Sequence, residues 1–463
     1  MWLLAITAFT WLIVFPLFQL GMFTDGLLYA SIARNFYTSQ GTWWNIYSHE
    51  PTGIIFHEQP PLVFWLQSFF FSLFGDTVYP ERIYSFVLIV LSAFTIITLW
   101  KELNHEIKKA WLPVILWLSI YAVQFSAINN VIENTLQFFD LLSVLFLFKA
   151  MRNKNMFLNI FLGLFFLFLA SMSKGIQGLF PIAVPVCYWI AFRISSAKKS
   201  IAITFFLIAA MTGIYFLMIQ SPEILESYKA YFASRFPGFP NTPHANTHYR
   251  VQLFFELLVE LLPPIILCIA VFLFIKRKLR INIPVASEQK RISFFFLLTG
   301  LCASLPLMIS YEQRFFYLTT SMPYFVLALS VLIEKYFYQL SIYAQTKIQS
   351  VKKISFILLI GIVSGITATF LFAGKITRDK ELLSDVFKIG NKIKDENLID
   401  ISSGGWNNWA AHMYFRRYFN IEFVAGTSGH TFYLHPKKEG AFNSPYYKKV
   451  EWDSEYYDVY ERK

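Results

Sequence analysis

Apolar runs long enough to cross a bilayer follow one another from residue 2 to residue 373, separated by short polar turns. They fall at 2–22, 83–100, 111–128, 132–150, 156–172, 176–192, 200–220, 251–275, 292–310, 315–333 and 354–373, and predict eleven membrane-spanning helices. The first run has neither a basic leader nor a small-residue cleavage site, so the expectation is a retained helix. Three stretches interrupt the rhythm: 22–82, 221–250 and everything from 375 onward. In the last, Asn397–Ile401 and Ile421–Val424 read as short strands and Asn408–Tyr418 as a helix. The predicted fold is therefore an all-α polytopic membrane domain over 1–374 with a small α/β domain over 375–463. Gly361 and Gly365 in the final run form a small-xxx-small pattern, expected to serve packing within the chain.

Composition agrees with the periodicity. The 463 residues are 56% hydrophobic and 15% charged, with a mean hydropathy of +0.48, whereas soluble domains carry about 25% charged residues. With the N-terminus cytoplasmic, the predicted inner loops hold 18 Lys and Arg and the longer outer segments before the tail hold 7. That asymmetry sets the orientation and puts the C-terminal tail outside. It also accounts for the net charge of +11 without nucleic acid, because most basic residues fall in short loops between spans. Cys187, Cys268 and Cys302 lie inside apolar runs and offer neither a disulfide framework nor zinc spacing.

Polar residues that interrupt the spans gather on the outer side. Asp25 and Glu58 stand in the first outer loop, 22–82; Asn129, Asn130, Glu133 and Asn134 follow the third span; Lys174 follows the fifth. Tyr228, Lys229, Arg235, His244, His248 and Arg250 lie in the second outer loop, 221–250, and Glu312 and Arg314 in a late turn. An ion at the bilayer centre costs about 2.5–3.5 kcal/mol on insertion scales, so these groups are expected to face water, each other or a substrate. A carboxylate at a helix–loop junction can take a proton from an attacking hydroxyl or amine, the role open to Asp25 and Glu58, although a helix-end aspartate bonded to backbone is the commoner case. Lys174 and Arg314 are candidates to hold a phosphate, with snorkelling as the alternative for each. Arg82 reads as the partner of a carboxylate or as a cap on the second span. The i, i+4 pair His244 and His248 would suit a metal on a helix, but Pro240 and Pro243 argue against a helix there. Trp43 and Trp44 read as an interfacial anchor more than a sugar platform. No P-loop or dinucleotide fingerprint occurs in a strand–helix context.

Several of these residues form a pattern. Thr24-Asp25, Tyr29-Ala30 and Ala33-Arg34, then Gly41-Thr42-Trp43, then Glu58-Gln59-Pro60-Pro61-Leu62 and Trp65-Leu66, then Phe74-Gly75 and Arg82, resemble the first periplasmic loop of the GT-C glycosyltransferases. They are similar to the branch containing the lipid A aminoarabinose transferase and the dolichyl-phosphate-mannose-type protein mannosyltransferases. Ser173-Lys174-Gly175 and Arg314-Phe315-Phe316-Tyr317 resemble later elements of that branch. The resemblance covers about residues 1–330. Leu28 and Gln59 stand where the aminoarabinose transferases have basic residues.

The resemblance implies a polyprenyl (undecaprenyl) phosphate sugar donor, inversion at the anomeric carbon, and transfer to a lipid, glycan or protein acceptor. The expected location is the bacterial inner membrane, multi-pass, with the catalytic loops and C-terminus periplasmic. It implies Asp25 and Glu58 as catalytic carboxylates, and Tyr29, Arg34, His57, Arg82, Lys174 and Arg314 as contacts to donor phosphate or acceptor. No metal ligand and no cofactor is assigned, and a divalent metal is left open. A glycan ligase or polymerase would more readily use a longer second outer loop. A lipid-linked sugar flippase or transporter would show polar groups at mid-span in repeated halves, and no internal repeat is evident.

Overall fold

The computed structural model describes residues 1–49, 52–103, 105–194, 196–235, 251–281, 283–310 and 313–463, with residues 234 and 235 described by backbone only. Among these, eight helices are long and apolar enough to cross a membrane, and nine with a bent pair. The chain is a multi-pass membrane protein of helices, with one five-stranded sheet in its C-terminal part.

The eleven predicted spans map onto this bundle with three changes. The first apolar helix, Trp2–Leu17, is shorter than a full crossing and contains a π turn at Thr10–Val14. The run at 111–128 is two pieces, Ile107–Leu118 and Tyr121–Ile128, bent by 83°. The runs at 156–172 and 176–192 form one helical stretch, Met156–Phe192, which folds back at Gly175 so that Gly178 lies against the backbone of Ala170. Gly175 has φ +64, and a Cβ there would overlap the Tyr231 ring, so glycine is needed for both backbone and space.

The bend at 118–121 frees backbone groups inside the membrane, where nothing but protein can satisfy them. Glu260, from the long helix Gln252–Lys278, accepts the Ala122 N–H at 2.8 Å and so caps the second piece. At the far end of that piece, Asn129 accepts the Phe23 N–H at 2.8 Å, and the Asn130 amide donates to the Gly26 carbonyl at 3.1 Å. Thus the broken helix holds the start of the first loop. Gly361 and Gly365 make room for Thr7, Thr10 and Trp11 of the first helix, and the Trp11 indole donates to the Gly361 carbonyl at 2.8 Å. The small-residue pattern serves packing within the chain.

The first loop contains the helix Thr24–Tyr37, a short antiparallel hairpin of β1 (Tyr47–His49) and β2 (Ile54–Ile55), and the helix Leu62–Phe74. Pro61 stands immediately before this last helix, where its missing N–H costs nothing. The predicted second loop begins with a helix, Pro222–Arg235; His244, His248, Arg250 and the Arg235 side chain lie outside the described residues, as does Glu312. The two loops clasp: Glu223 accepts from the Thr42 hydroxyl and from the Asn45 N–H, and Trp44 packs on Tyr228 at 5.8 Å.

In the C-terminal part the helix Lys380–Gly390 precedes β3 (Leu398–Ile401), the helix Trp409–Phe419, β4 (Glu422–Ala425), β5 (Phe432–Pro436), β6 (Tyr447–Val450) and β7 (Tyr457–Arg462). The sheet order is β4-β3-β5-β7-β6, parallel at β4-β3-β5 and antiparallel beyond. Its apolar core is continuous with Leu20, just before the first loop, and with Met22 and Leu27 of that loop. The helix Trp409–Phe419 carries the joint. Tyr414 bonds both the N–H and the carbonyl of Met22. Arg417, fully buried, bonds Glu81 at 2.8 and 3.1 Å, Asp76 at 2.8 Å and the Thr77 carbonyl at 2.6 Å, and lies over the Phe71 ring. Glu81 is itself inaccessible, so removing the guanidinium leaves an unpaired buried charge. Arg417→Ala is expected to destabilise the protein by about 3–5 kcal/mol, with part of the loss recovered in the double variant Arg417→Met, Glu81→Gln. Thermal unfolding of the detergent-purified chain checks both.

Candidate active site

The helix Thr24–Tyr37 begins six residues after the first apolar helix ends, and its first turn carries Asp25. Its register is set by Gly26, whose missing side chain lets the helix lie directly on the Asn129 carbonyl. Asp25 is consequently wedged between loop and bundle. Burial, followed by the negative charge of Glu133, raises its carboxyl to about 6; Lys174 and Arg314 pull the other way, and Glu58 adds a small rise. These causes define the site. Four carboxylate or cationic groups from four separate segments lie within electrostatic reach of Asp25.

Each is placed by its own element. Glu133 opens the helix Glu133–Met151 and is almost fully buried. Lys174 ends the helix preceding the Gly175 turn, is 5% exposed, and makes an ion pair with Glu133. Its ammonium also sits 3.4 Å from the Tyr317 ring centroid. Glu58, exposed, immediately precedes the buried Gln59 and the Pro-Pro helix entry. Arg314, exposed, precedes the tight helical turn Phe315–Thr320. Tyr29 follows Asp25 by one turn on the same helix and packs between Phe56 and Phe64. Among the described residues, no group of three or more His, Cys, Asp or Glu has the arrangement of a metal site.

Lys174 stands at the polar end of a cavity of about 720 Å³. Gln59, Gln177, Tyr231 and Tyr317 share that end; Leu179, Phe180, Val186, Ile208 and Leu307 form its apolar part, between membrane-spanning helices. Tyr231, from the second-loop helix, donates to the Lys174 carbonyl at 3.3 Å and so ties that loop to the turn.

Three of the predicted contacts are elsewhere. Arg34 is buried and directed at the C-terminal part: it donates to the Arg416 and Arg417 carbonyls at 2.8 and 3.0 Å and to the Asn420 amide oxygen at 2.6 Å. Burial lowers its guanidinium to about 10, which leaves it charged at neutral pH. Arg82 is fully buried and donates to the Leu17 carbonyl at 2.6 Å, holding the end of the first helix. His57 is half-buried and its charged neighbours are Glu223 and Glu226 of the second loop; burial lowers its pKa. Arg34 and Arg82 hold the loop and the first helix in place. Conversely, Glu133 enters the site as the partner of Lys174, and Gln59 as part of the cavity's polar end. In the sequence, Glu133 is visible only as a polar interruption after the third span.

Residues 58–216 match the family model described as dolichyl-phosphate-mannose-protein mannosyltransferase. Two solved structures share the fold over nearly the whole length. ArnT from Cupriavidus metallidurans bound to undecaprenyl phosphate is 12% identical, with TM-score 0.66, covering 99% of this chain and 97% of that one. The same protein in the apo state is 13% identical, with TM-score 0.65 and the same coverage. No curated protein sequence matches the chain.

The site's charges predict how Asp25 titrates. Arg314→Ala removes a stabilising cation and is expected to move the Asp25 carboxyl above 6, whereas Glu133→Gln is expected to move it below. The raised value means that the folded protein holds a proton between pH 3.8 and about 6 that the unfolded chain has lost. Stability from this group therefore falls as pH rises through that window. The carboxyl stretch in pH-dependent infrared difference spectra, with Asp25→Asn as reference, measures the shifts.

Proposed function

We propose that this chain, whose GT-C, ArnT-like fold and protein-mannosyltransferase-type segment are the premise, is an integral membrane glycosyltransferase that draws its sugar from a polyprenyl phosphate. One observation carries the reading: Lys174, which lines an apolar cavity set between membrane-spanning helices, lies within electrostatic reach of the half-buried Asp25, as does Arg314. An isoprenoid chain fits the apolar part of that cavity, and its phosphate then reaches the polar end beside Lys174. The relative's bound undecaprenyl phosphate is the same class of molecule.

In the proposed step a hydroxyl or amine of the acceptor attacks the anomeric carbon from the side opposite the phosphate. The new bond forms as the anomeric carbon–oxygen bond breaks, which inverts the centre, and the electron pair leaves on the phosphate oxygen. Asp25 takes the acceptor's proton; with a carboxyl near 6 it is mostly ionised at neutral pH, yet basic enough to accept. The departing phosphate needs positive charge. Lys174, paired with Glu133, and Arg314 bring that charge from two separate segments. Glu58 orients the acceptor at the loop side. Gln59, at the polar end of the cavity, offers an amide where the aminoarabinose transferases offer a lysine. No metal is required by this scheme.

The orientation inferred from the loop charges puts the site on the periplasmic face of a bacterial inner membrane, with the N-terminus cytoplasmic. The acceptor is a lipid, a glycan or a protein. We divide the chain into a catalytic unit, 1–374, and a periplasmic unit, 375–463, that braces it.

Purified wild type is expected to release free undecaprenyl phosphate from one member of a panel of undecaprenyl-phosphate sugars, only when an acceptor extract is present. Asp25→Asn is expected to lose about 10²–10⁴-fold in rate while unfolding at a similar temperature. Full activity in that variant removes the proposed base. Turnover of no donor, with donor movement across liposomes, favours a transporter instead.

A further inference from the structure

A second cavity, of about 310 Å³, lies at the end of the bundle opposite Asp25 and Lys174. The helix Glu133–Met151 links the two: Glu133 is at one end and Arg152 just past the other, 19 residues or about 28 Å away. The lining includes Arg152, Arg291, Glu288, Tyr188, Phe148 and Ile194, drawn from three different helix ends and a loop. Arg152 lies over the Phe148 ring at 5.8 Å and donates to the Glu102 carbonyl, which leaves other N–H groups of its fork available. Glu288 and Arg291 are three residues apart on one helix, a spacing at which opposite charges ordinarily pair. Yet they form no ion pair with each other or with another described residue, and both line the cavity. Ile194, 74% exposed, continues the lining to the outer surface of the bundle.

We propose that this cavity holds the head group of a zwitterionic phospholipid. The phosphate sits between the guanidiniums of Arg152 and Arg291, and the lipid's ammonium meets Glu288. Two cations and one carboxylate match a phosphodiester that carries an amine: either kind of phosphate meets the guanidiniums, but only the ammonium gives Glu288 a partner. The apolar exit at Ile194 gives the acyl chains a path that a soluble phosphate would not use. Basic pockets between spans at a membrane face are a recurring way of retaining lipid head groups.

Native mass spectrometry of the full chain in detergent tests this with three probes: dioleoyl-phosphatidylethanolamine, dioleoyl-phosphatidylglycerol and soluble phosphoethanolamine. Arg291→Ala is expected to lower retention of phosphatidylethanolamine about tenfold, the worth of one charge-assisted contact. Glu288→Gln is expected to abolish the preference for phosphatidylethanolamine over phosphatidylglycerol. Both side chains are exposed at a helix end, so neither change disturbs the apolar core. Unchanged retention in Arg291→Ala overturns the site. Equal retention of the two lipids by wild type overturns the zwitterion assignment, and equal binding of soluble phosphoethanolamine overturns the lipid.

Discussion

A carboxylate at the rim of a membrane must be kept from two easier fates: sinking into lipid, where it would be neutral, or swinging into water, where it would be an ordinary acid. Asp25 is held between them by backbone contacts at its own helix start. Asn129 takes the Phe23 N–H, Asn130 gives its amide to the Gly26 carbonyl, and Gly26 lets the helix seat against the bend. That bend is stable because Glu260 closes the freed backbone at Ala122. The position of one acid therefore depends on a broken helix and on the residue that caps it.

The C-terminal part supplies the second hold. Arg417 lies between Glu81 and Asp76, Arg34 reaches the carbonyls at the end of the same helix, and Tyr414 grips Met22. Buried charge of this kind is tolerated because every ion has an opposite one or a carbonyl at contact distance. Tail and loop share one apolar core, which makes the tail a brace for the loop more than an appendage.

Much of this was legible in the chain. The apolar runs showed the helices because lipid-facing and bundle-facing positions are both apolar. The polar interruptions showed at which end of the bundle Asp25, Glu58, Glu133, Lys174 and Arg314 gather, and Asn397–Ile401, Asn408–Tyr418 and Ile421–Val424 emerge as β3, the helix Trp409–Phe419 and β4. What could not be read was pairing across long separations. Arg34 and Arg82 look like phosphate contacts because a loop arginine that binds a ligand and one that ties down a carbonyl have the same letter. The pairing of Lys174 with Glu133 bridges 41 residues, and nothing local announces it. Strands β5 to β7 were missed because short, aromatic and charged segments carry weak periodicity; the helix Lys380–Gly390 was missed although Leu382, Leu383, Val386 and Ile389 repeat at helical spacing.

The hydrogen bonds between Met22 and Tyr414, and between Arg34 and Arg416, join residues 392 and 382 positions apart. During synthesis the first loop emerges long before its partners exist. At a ribosomal pace of about 5–20 residues per second, it waits roughly 20–80 seconds for them. Through that interval the loop helix gains its bundle contacts, from Asn129 and Asn130, long before its brace. The candidate site is thus completed last although Asp25 is made first, and a half-made chain in the membrane holds that carboxylate in an unfinished setting.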